Sequence, residues 1–235
     1  MPQHTPSEHA HWEPIAEGVW SLTHHFRNLG MPVTTRMSVM RLADGSLLAH
    51  SAVPLTGHQR QQLDRFGPLR VIVAPNAVHH LFIGDLLQHY PQAAVYGPPS
   101  LRAKRPDLTT LQDWPDAAAA PWGPAVSHQV MAGLPAFDEA EWFHHPSGTL
   151  FISDICQCWT GPLAAPVRLY LGLMGGRDHL TVPRSARLMT RDKAAARASA
   201  QAVLAWPLQR IVLLHNSVIT HTPRAALAQA FSVWD

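Results

Sequence analysis

The sequence predicts an α/β fold, because short apolar segments of strand length alternate with segments that have helical periodicity. Val71–Leu87 shows this most clearly: an apolar strand over Val71–Ala74 is followed by a polar loop and then by a helix. Asp44-Gly45 separates two apolar runs, which is the signature of a tight β-hairpin. Thr56 is placed to cap the N-terminus of a helix over Gly57–Phe66.

The other predicted elements follow from the same periodicities and from turn residues between them. The predicted strands are Ile15–Leu22, Met37–Leu42, Ser46–His50, Leu69–Ala74, Ala93–Tyr96, Val126–Met131, Glu141–His144, Thr149–Ser153 and Gln209–Leu214. The predicted helices are Leu81–Tyr90, one turn over Ser100–Lys104, Leu163–Met174, Pro183–Met189, Asp192–Trp206, and a last one capped by Thr222-Pro223 that ends near Trp234. Leu163–Met174 is apolar on most sides, which predicts a buried helix.

Composition restricts the class of protein and its partners. The 235 residues are 46% hydrophobic and only 14% charged, and the net charge is +2. So small a charge, without a basic run, predicts no nucleic-acid partner. No apolar run approaches the roughly 18 residues that span a membrane. We therefore expect a cytoplasmic protein without a signal peptide or membrane partner, which binds a small-molecule substrate or ligand; its oligomeric state is unknown.

The chain reads as one domain with a short N-terminal extension. Residues 1–14 are rich in histidine and proline and are predicted to be a flexible arm. Residues 15–235 are predicted to form a single domain. Asp113–Pro124 resembles a linker in composition, but similar strands follow it, so we interpret it as an internal loop.

Histidine and aspartate follow three of the predicted strands. His79 and His80 come after the first, Asp154 after the second and His215 after the third. Strand ends converge in α/β folds, so these residues can meet in space. Imidazoles with a carboxylate suit one divalent metal ion, namely zinc, manganese or iron. Such an ion polarises a substrate oxygen or lowers the pKa of a bound water to about 7.

Each candidate ligand also has a purely structural interpretation. One of His79 and His80 can cap the following helix while the other packs on a strand, and Asp154 can cap a turn. His215 can be a buried histidine bonded to a backbone carbonyl. His144 precedes a tight turn, so its side chain can face outward as well as ligate.

The cysteines and a tryptophan lie close to Asp154 in the sequence. Cys156 and Cys158 are the only cysteines, so there is no disulfide framework, and one C-x-C pair cannot make a four-ligand zinc site. We interpret them as small buried residues, with Cys156 kept as a minor candidate ligand. Trp159 is placed to form the wall of a pocket.

Four segments of the sequence resemble a domain-of-unknown-function branch of the metallo-β-lactamase superfamily, and the resemblance covers most of the chain. Those segments are Arg41–Thr56, Val73–Leu86, Phe143–Asp154 and Arg210–His215. The resemblance implies a four-layer αββα sandwich of two mixed β-sheets flanked by helices.

The metal-binding signature of that superfamily, H-x-H-x-D-H followed by glycine, is degenerate here. If Gly84 is its glycine, Asn76 and Val78 replace the first two histidines. His80 then takes the aspartate position, and Leu81 replaces the last histidine. The resemblance therefore implies that the first metal site is dismantled.

The second metal site of the superfamily is better preserved. Gly133-Leu134-Pro135 occupies the turn that normally carries a further histidine and has none. Asp154 matches the bridging aspartate and His215 the final histidine. The ligand set implied by the resemblance is His80, Asp154 and His215, with His79 or His144 assisting.

Three functions are compatible with these observations. The first is an atypical metal-dependent hydrolase with a single-metal or altered site and an unknown substrate, and the persistence of ligand-type residues at three strand ends favours it. The second is a non-catalytic protein that has lost its metal and binds a small molecule or a protein, which the eroded signature favours. The third is a redox enzyme that holds iron with the same residues.

Overall fold

The computed structural model describes residues 5–28, 31–116 and 119–235, and the chain forms two compact units. Within the described residues, the first unit consists of 5–28 and 32–127, and the second contains 128–235. Each unit has one β-sheet with parallel and antiparallel strands, together with its own helices. The predicted α/β class is therefore confirmed.

Seven strands form the sheet of the first unit, in the order in which they occur along the chain. They are β1 (Glu13–Ala16), β2 (Val19–Asn28), β3 (Met31–Arg41), β4 (Leu47–His50), β5 (Leu69–Val73), β6 (Ala94–Gly97) and β7 (Leu111–Asp113). β1 pairs antiparallel with β2, and β3 with β4, whereas β4 to β7 are parallel neighbours. The predicted strand Ile15–Leu22 is two strands, because Gly18 has a φ of 70° and turns the chain.

The predicted hairpin between β3 and β4 is confirmed, and its turn has a simple local cause. Oδ1 of Asp44 accepts a hydrogen bond from the backbone N–H of Ser46 at 2.9 Å. Gly45 follows with a φ of 82°, a conformation that glycine adopts without a steric penalty. The turn leaves Arg41 opposite Leu47, which sets the register of the two strands.

Three helices of the first unit connect its parallel strands. They are α1 (Gly57–Phe66), α2 (Ile83–His89) and α3 (Leu101–Lys104). The predicted cap of α1 is confirmed as a capping box: the Thr56 hydroxyl accepts from Gln59 N at 3.2 Å, and Gln59 Oε1 accepts from Thr56 N at 2.9 Å. This cap fixes where α1 begins.

Part of the predicted N-terminal arm is bound to α1. The side-chain amide of Gln59 donates to the carbonyls of Ser7, at 3.0 Å, and Ala10, at 2.8 Å. Trp12 donates from its indole nitrogen to the carbonyl of Gln59 at 3.0 Å. These bonds hold the segment that enters β1; residues 1–4 lie outside the described part of the chain, and the single-domain boundary stays a prediction.

Five strands form the sheet of the second unit. They are β8 (Val126–Val130), β9 (Ala140–His144), β10 (Thr149–Ile152), β11 (Arg210–Leu213) and β12 (Val218–Ile219). Their spatial order is β12, β11, β10, β9, β8. β10 runs antiparallel to β9 and parallel to β11, with Ile152 paired with Leu213 at the carboxyl end of the parallel pair.

Four helices belong to the second unit. They are α4 (Ala165–Met174), α5 (Arg184–Met189), α6 (Lys193–Leu204) and α7 (Pro223–Phe231). Pro223 takes the first position of α7 as predicted, but Thr222 does not cap it. The residue has a left-handed backbone with a φ of 44°, and its side chain makes no capping bond. A cap needs an extended backbone at this position, so the predicted Thr222 cap is wrong.

The prediction that Leu163–Met174 is a buried helix is also wrong. Leu169 is 68% exposed and Leu173 is 56% exposed, and only Leu171 in α4 is buried. The apolar composition of a helix indicates what it can cover, but burial also requires packed neighbours on each face. In the second unit, α4 is packed on one side only.

Each unit has its own hydrophobic core. In the first unit, Leu63 of α1 and Ile72 of β5 belong to one fully buried cluster. In the second unit, Phe143 and Ile211 of the sheet belong to another cluster, together with the C-terminal Trp234. None of the helices in the described part of the chain is long and apolar enough to cross a membrane.

Candidate functional site

Asp154 and His215 are brought together at the carboxyl end of the sheet of the second unit. β10 and β11 are parallel and end side by side, and each candidate residue lies two positions beyond its strand. The two side chains meet with Asp154 Oδ1 3.0 Å from His215 Nε2. Each side chain is 16% exposed, so the pair is largely sheltered but accessible from solvent.

Trp159, which the sequence suggested as the wall of a pocket, lies beside the ring of His215. Its ring lies nearly parallel to the imidazole, with the centroids 5.9 Å apart and an angle of 13° between the planes. Trp159 N donates to the carbonyl of Gly176 at 2.6 Å, and Asp178 N donates to the carbonyl of Trp159 at 2.9 Å. These bonds close the base of an excursion of the chain that contains α4.

A second set of contacts holds the loop after β11. Oδ1 of Asn216 accepts from the backbone N–H of Thr160 at 3.2 Å. The hydroxyl of Ser217 donates to the carbonyl of Cys158 at 2.7 Å. The residues after His215 are therefore fastened to the segment that carries Trp159, which limits how far the imidazole can move.

Glu139 supports Asp154 from within the unit. Its side chain is fully buried, and Oε1 accepts from three successive backbone N–H groups: Ser153 at 3.2 Å, Asp154 at 3.0 Å and Ile155 at 3.2 Å. Oε2 also lies 3.0 Å from Asp154 N. Backbone donors of this kind compensate a carboxylate for the loss of water.

Burial raises the pKa of two further groups near Glu139, the Glu141 carboxyl and the Cys156 thiol. Burial, followed by repulsion from Glu139, raises the pKa of Glu141 well above its ordinary value. Burial, followed by the charges of Glu141 and Glu139, likewise raises the pKa of the Cys156 thiol. A protonated, fully buried thiol is a poor metal ligand, and both Cys156 and Cys158 are the small buried residues that the sequence predicted.

In the first unit, Asn76 organises the loop between β5 and α2. The side chain of Asn76 is buried, and its Oδ1 accepts from Val78 N at 2.9 Å and from His79 N at 2.8 Å. Val78 is 53% exposed. Of the two residues that replace the first histidines of the superfamily signature, Asn76 has a structural role, because it bends the loop and fixes the backbone of His79.

His80 lies against a cation. Its ring Nδ1 is 3.4 Å from Nη1 of Arg105, whose guanidinium also donates to the carbonyl of His80 at 2.5 Å. Burial, followed by the charges of Arg105 and Lys104, lowers the pKa of His80 to about 4. The positive charges of Arg105 and Lys104, which add to the effect of burial on the pKa of His80, also oppose the binding of a metal cation by this imidazole.

His50 is a buried histidine at the end of β4, in the same unit. It is 1% exposed, and burial, followed by the charge of His79, lowers its pKa to about 3. His50 is therefore neutral at physiological pH. The sequence could have singled out His50, because it is the last residue of the predicted strand Ser46–His50. Asp154 and His215 were singled out because each directly follows a predicted strand.

His144 lies at the other end of the strand pair from Asp154. It is opposite Thr149, at the turn between β9 and β10, and its Nδ1 lies 2.7 Å from the hydroxyl of Ser147. Five residues separate Thr149 from Asp154, a distance of about 16 Å along a strand. His144 therefore contributes to the hairpin turn and does not assist Asp154.

Comparison of the sequence with models of known protein families assigns the chain to a family. Residues 16–160 match the domain of unknown function DUF4336. No curated protein matches the chain.

Comparison with solved structures identifies the fold. The metallo-β-lactamase from Erythrobacter litoralis aligns with a TM-score of 0.63 and 15% identity, over 97% of this chain and 96% of that one. The mono-zinc form of the metallo-β-lactamase FIM-1 from Pseudomonas aeruginosa aligns with a TM-score of 0.62 and 13% identity, over 98% of this chain and 97% of that one. The metal-soaked Flv1 flavodiiron core from Synechocystis sp. PCC6803 aligns with a TM-score of 0.65 and 13% identity, over 96% of this chain and 60% of that one.

The sequence match and the structural likeness agree, and they confirm both the resemblance and the fold class predicted from the sequence. The chain belongs to the DUF4336 family and has the fold of the metallo-β-lactamases.

Proposed function

We propose that the protein binds one divalent metal ion through Asp154 and His215 and uses it to hydrolyse a small-molecule substrate. The observation that carries the proposal is the Asp154–His215 pair, whose ligand atoms lie 3.0 Å apart at two adjoining strand ends.

The distance between these two atoms fits a shared ion. Ligand atoms that each lie about 2.1 Å from a zinc ion in tetrahedral geometry are about 3.4 Å apart. The observed 3.0 Å between Asp154 Oδ1 and His215 Nε2 is close to this value. One carboxylate and one imidazole also leave coordination positions open for substrate or water, as catalytic sites require.

Two other histidines that the sequence offered are unsuitable as ligands of this ion. The Arg105 guanidinium beside His80 opposes a second cation there. His144 lies at the far end of its strand pair from Asp154.

The residues around the pair have separate tasks in this proposal. A divalent ion, when bound, supplies a Lewis acid that polarises a substrate oxygen and lowers the pKa of water. Trp159 shields one face of His215, and an aromatic surface of this kind packs against an apolar part of a small substrate. Zinc, manganese and iron all suit the donor set, and the mono-zinc state of FIM-1 and the metal-soaked flavodiiron core support zinc and iron in this fold.

The alternative is a non-catalytic protein of the same fold that binds a small molecule or a protein. The positions of Asn76 and Val78 favour it, since one is a buried loop cap and the other an exposed apolar residue. The persistence of Asp154 and His215 as a paired, accessible acid and base favours the hydrolase.

Metal analysis of the purified, untagged protein tests the proposal. We expect nearly one equivalent of metal in the wild type, lost in Asp154→Ala and His215→Ala because each removes a ligand. His58→Ala, which removes an exposed histidine of α1, is the matched control and should retain the metal. Wild type that stays metal-free after incubation with zinc, manganese and iron(II) would refute the metal site and favour the non-catalytic alternative.

Activity is tested next, on the metal-loaded protein. Ester, lactone and phosphoester substrates are the classes to screen. We expect a turnover that chelation abolishes, and that His215→Ala lowers by at least 100-fold while His58→Ala leaves it unchanged. An activity that survives chelation and the loss of His215 would contradict the proposed mechanism.

A further inference from the structure

We propose that Glu139 is a positioning residue, whose buried carboxylate holds the backbone of residues 153–155 so that Asp154 faces His215. The inference rests on the proposed function, because it concerns two of the proposed metal ligands. Nothing in the sequence signature of the superfamily singled out Glu139.

The first argument is the convergence of hydrogen bonds on one carboxylate. Three successive N–H groups, those of Ser153, Asp154 and Ile155, point at Oε1 of Glu139 within 3.2 Å. Successive peptide groups of an extended chain point in opposite directions, so this convergence requires a sharply bent backbone. The bend lies directly after β10, and it determines the direction in which the Asp154 side chain leaves the backbone.

The second argument is that the carboxylate itself is fixed. Glu139 is 0% exposed, and its backbone carbonyl accepts from Met131 N at 2.9 Å. β9 begins at the next residue and pairs with β10. Glu139 therefore directly precedes a strand of the sheet that leads to Asp154, and the pairing of β9 with β10 holds the Glu139 carboxylate close to the backbone of Asp154.

Glu141 provides an internal comparison. It is also 0% exposed, but its carboxyl oxygens make no hydrogen bond to residues 153–155. The Glu141 carboxyl is hydrogen-bonded with Glu139. Glu141→Gln replaces the carboxyl O–H with an amide N–H that donates in the same way, so this variant retains the Glu139 carboxylate and its bonds to residues 153–155. Glu139→Gln keeps the size of the side chain and one acceptor oxygen, but it removes the negative charge and replaces Oε2, which lies 3.0 Å from Asp154 N, by an NH₂ group that repels this donor.

The test compares the two variants in the full chain, with zinc affinity measured by competition with a chromophoric chelator. Loss of a group that orients a ligand typically weakens metal binding 10- to 100-fold, and we expect a weakening in this range for E139Q. E141Q should bind within about twofold of wild type. We also expect E139Q to change the visible spectrum of the cobalt(II)-loaded protein, which a general loss of stability would leave unaltered in the folded fraction.

The failures of the two proposals are distinguishable. If the wild type binds zinc and E139Q binds it equally tightly with the same cobalt spectrum, the role of Glu139 is refuted and the metal site stands. If the wild type binds no metal, the proposed function is refuted. Glu139 is then judged by the ¹⁵N imidazole spectrum of the metal-free protein.

In that spectrum, the hydrogen-bonded Nε2 of His215 should be visible in wild type and in E141Q and lost in E139Q. Its persistence in E139Q refutes the positioning role. If E139Q does not fold, the same criteria apply to Glu139→Asp, whose carboxylate is one methylene further from the three amides.

Discussion

Histidines of the same chain differ in chemistry because of what surrounds each ring. His50 is neutral because it is buried, and the pKa of His80 is lowered by burial and by Arg105. His215 instead lies 3.0 Å from a carboxylate at an accessible strand end. The environment, more than the residue type, separates a packed histidine from a candidate ligand.

The buried His50 should make the stability of the protein depend on pH. Its folded pKa of about 3 lies below the ordinary value of 6.5, so the unfolded chain takes up the proton first. The stability is therefore fully present above pH 6.5 and is lost as the pH falls toward 3. Between pH 7 and pH 5 this single group should account for a loss of about 2 kcal/mol in the free energy of unfolding.

Urea unfolding across that range checks the prediction, with His50→Gln as the variant. Contributions from other groups, including Glu141, are common to both proteins and cancel in their difference. The free energies of wild type and H50Q should converge as the pH falls. Parallel curves would show that His50 does not carry the effect, and the exposed His58→Gln should run parallel to wild type.

The helix α4 shows that an apolar side chain in a helix is not necessarily buried. Leu171 is 2% exposed and Leu169 is 68% exposed, two positions apart on the same helix. Leu171→Ala should lower the free energy of unfolding by about 2 to 5 kcal/mol, because it removes buried methyl groups and leaves a cavity. Leu169→Ala should change it by no more than about 0.5 kcal/mol.

Equilibrium urea denaturation of the two variants at one pH gives the comparison directly. Both substitutions remove the same atoms and both place alanine in a helix, so intrinsic helix propensity cancels. An equal loss of stability at the two positions would mean that Leu169 is covered in solution, and that α4 is packed on both sides.

The elements were predictable where the cause of each is local. The Asp44-Gly45 turn, the Thr56 capping box and the strand before Asn76 depend on residues within a few positions of one another. Short strands such as β7 and β12 were missed because two or three residues cannot show a period of two. The exposure of α4 was missed because it depends on neighbours distant in sequence.

The sequence predicted part of the candidate site, namely the residues whose position follows from where the strands end. Asp154 and His215 were found because parallel strands end together, and the structure brings their side chains into contact. Glu139 was not found, because its bonds to the loop after β10 depend on how β9 and β10 pair. The unsuitability of His80 as a ligand depends on Arg105, which lies 25 residues further along the chain.

For the whole molecule, metal binding should appear as thermal stability. An ion that binds only the folded state, at 100 times its Kd, adds about 2.7 kcal/mol to the free energy of unfolding. In a chain of this size that corresponds to a rise in Tm of roughly 5 to 11 °C. Differential scanning fluorimetry with and without zinc measures it, and Asp154→Ala should show no rise. A similar rise in that variant would place the ion elsewhere.

The excursion that contains α4 begins and ends at neighbouring points of the second unit. Trp159 and Arg177 form a β-bridge, as do Gln157 and Thr181, and Gly161, Gly175 and Gly176 have positive φ angles near the two ends. Because these bridges join the two ends of the segment, the residues between Trp159 and Arg177 can be replaced, in evolution or by design, without altering the sheet. Variation in its length between members of the family would then change what approaches Trp159 while Asp154 and His215 stay where they are.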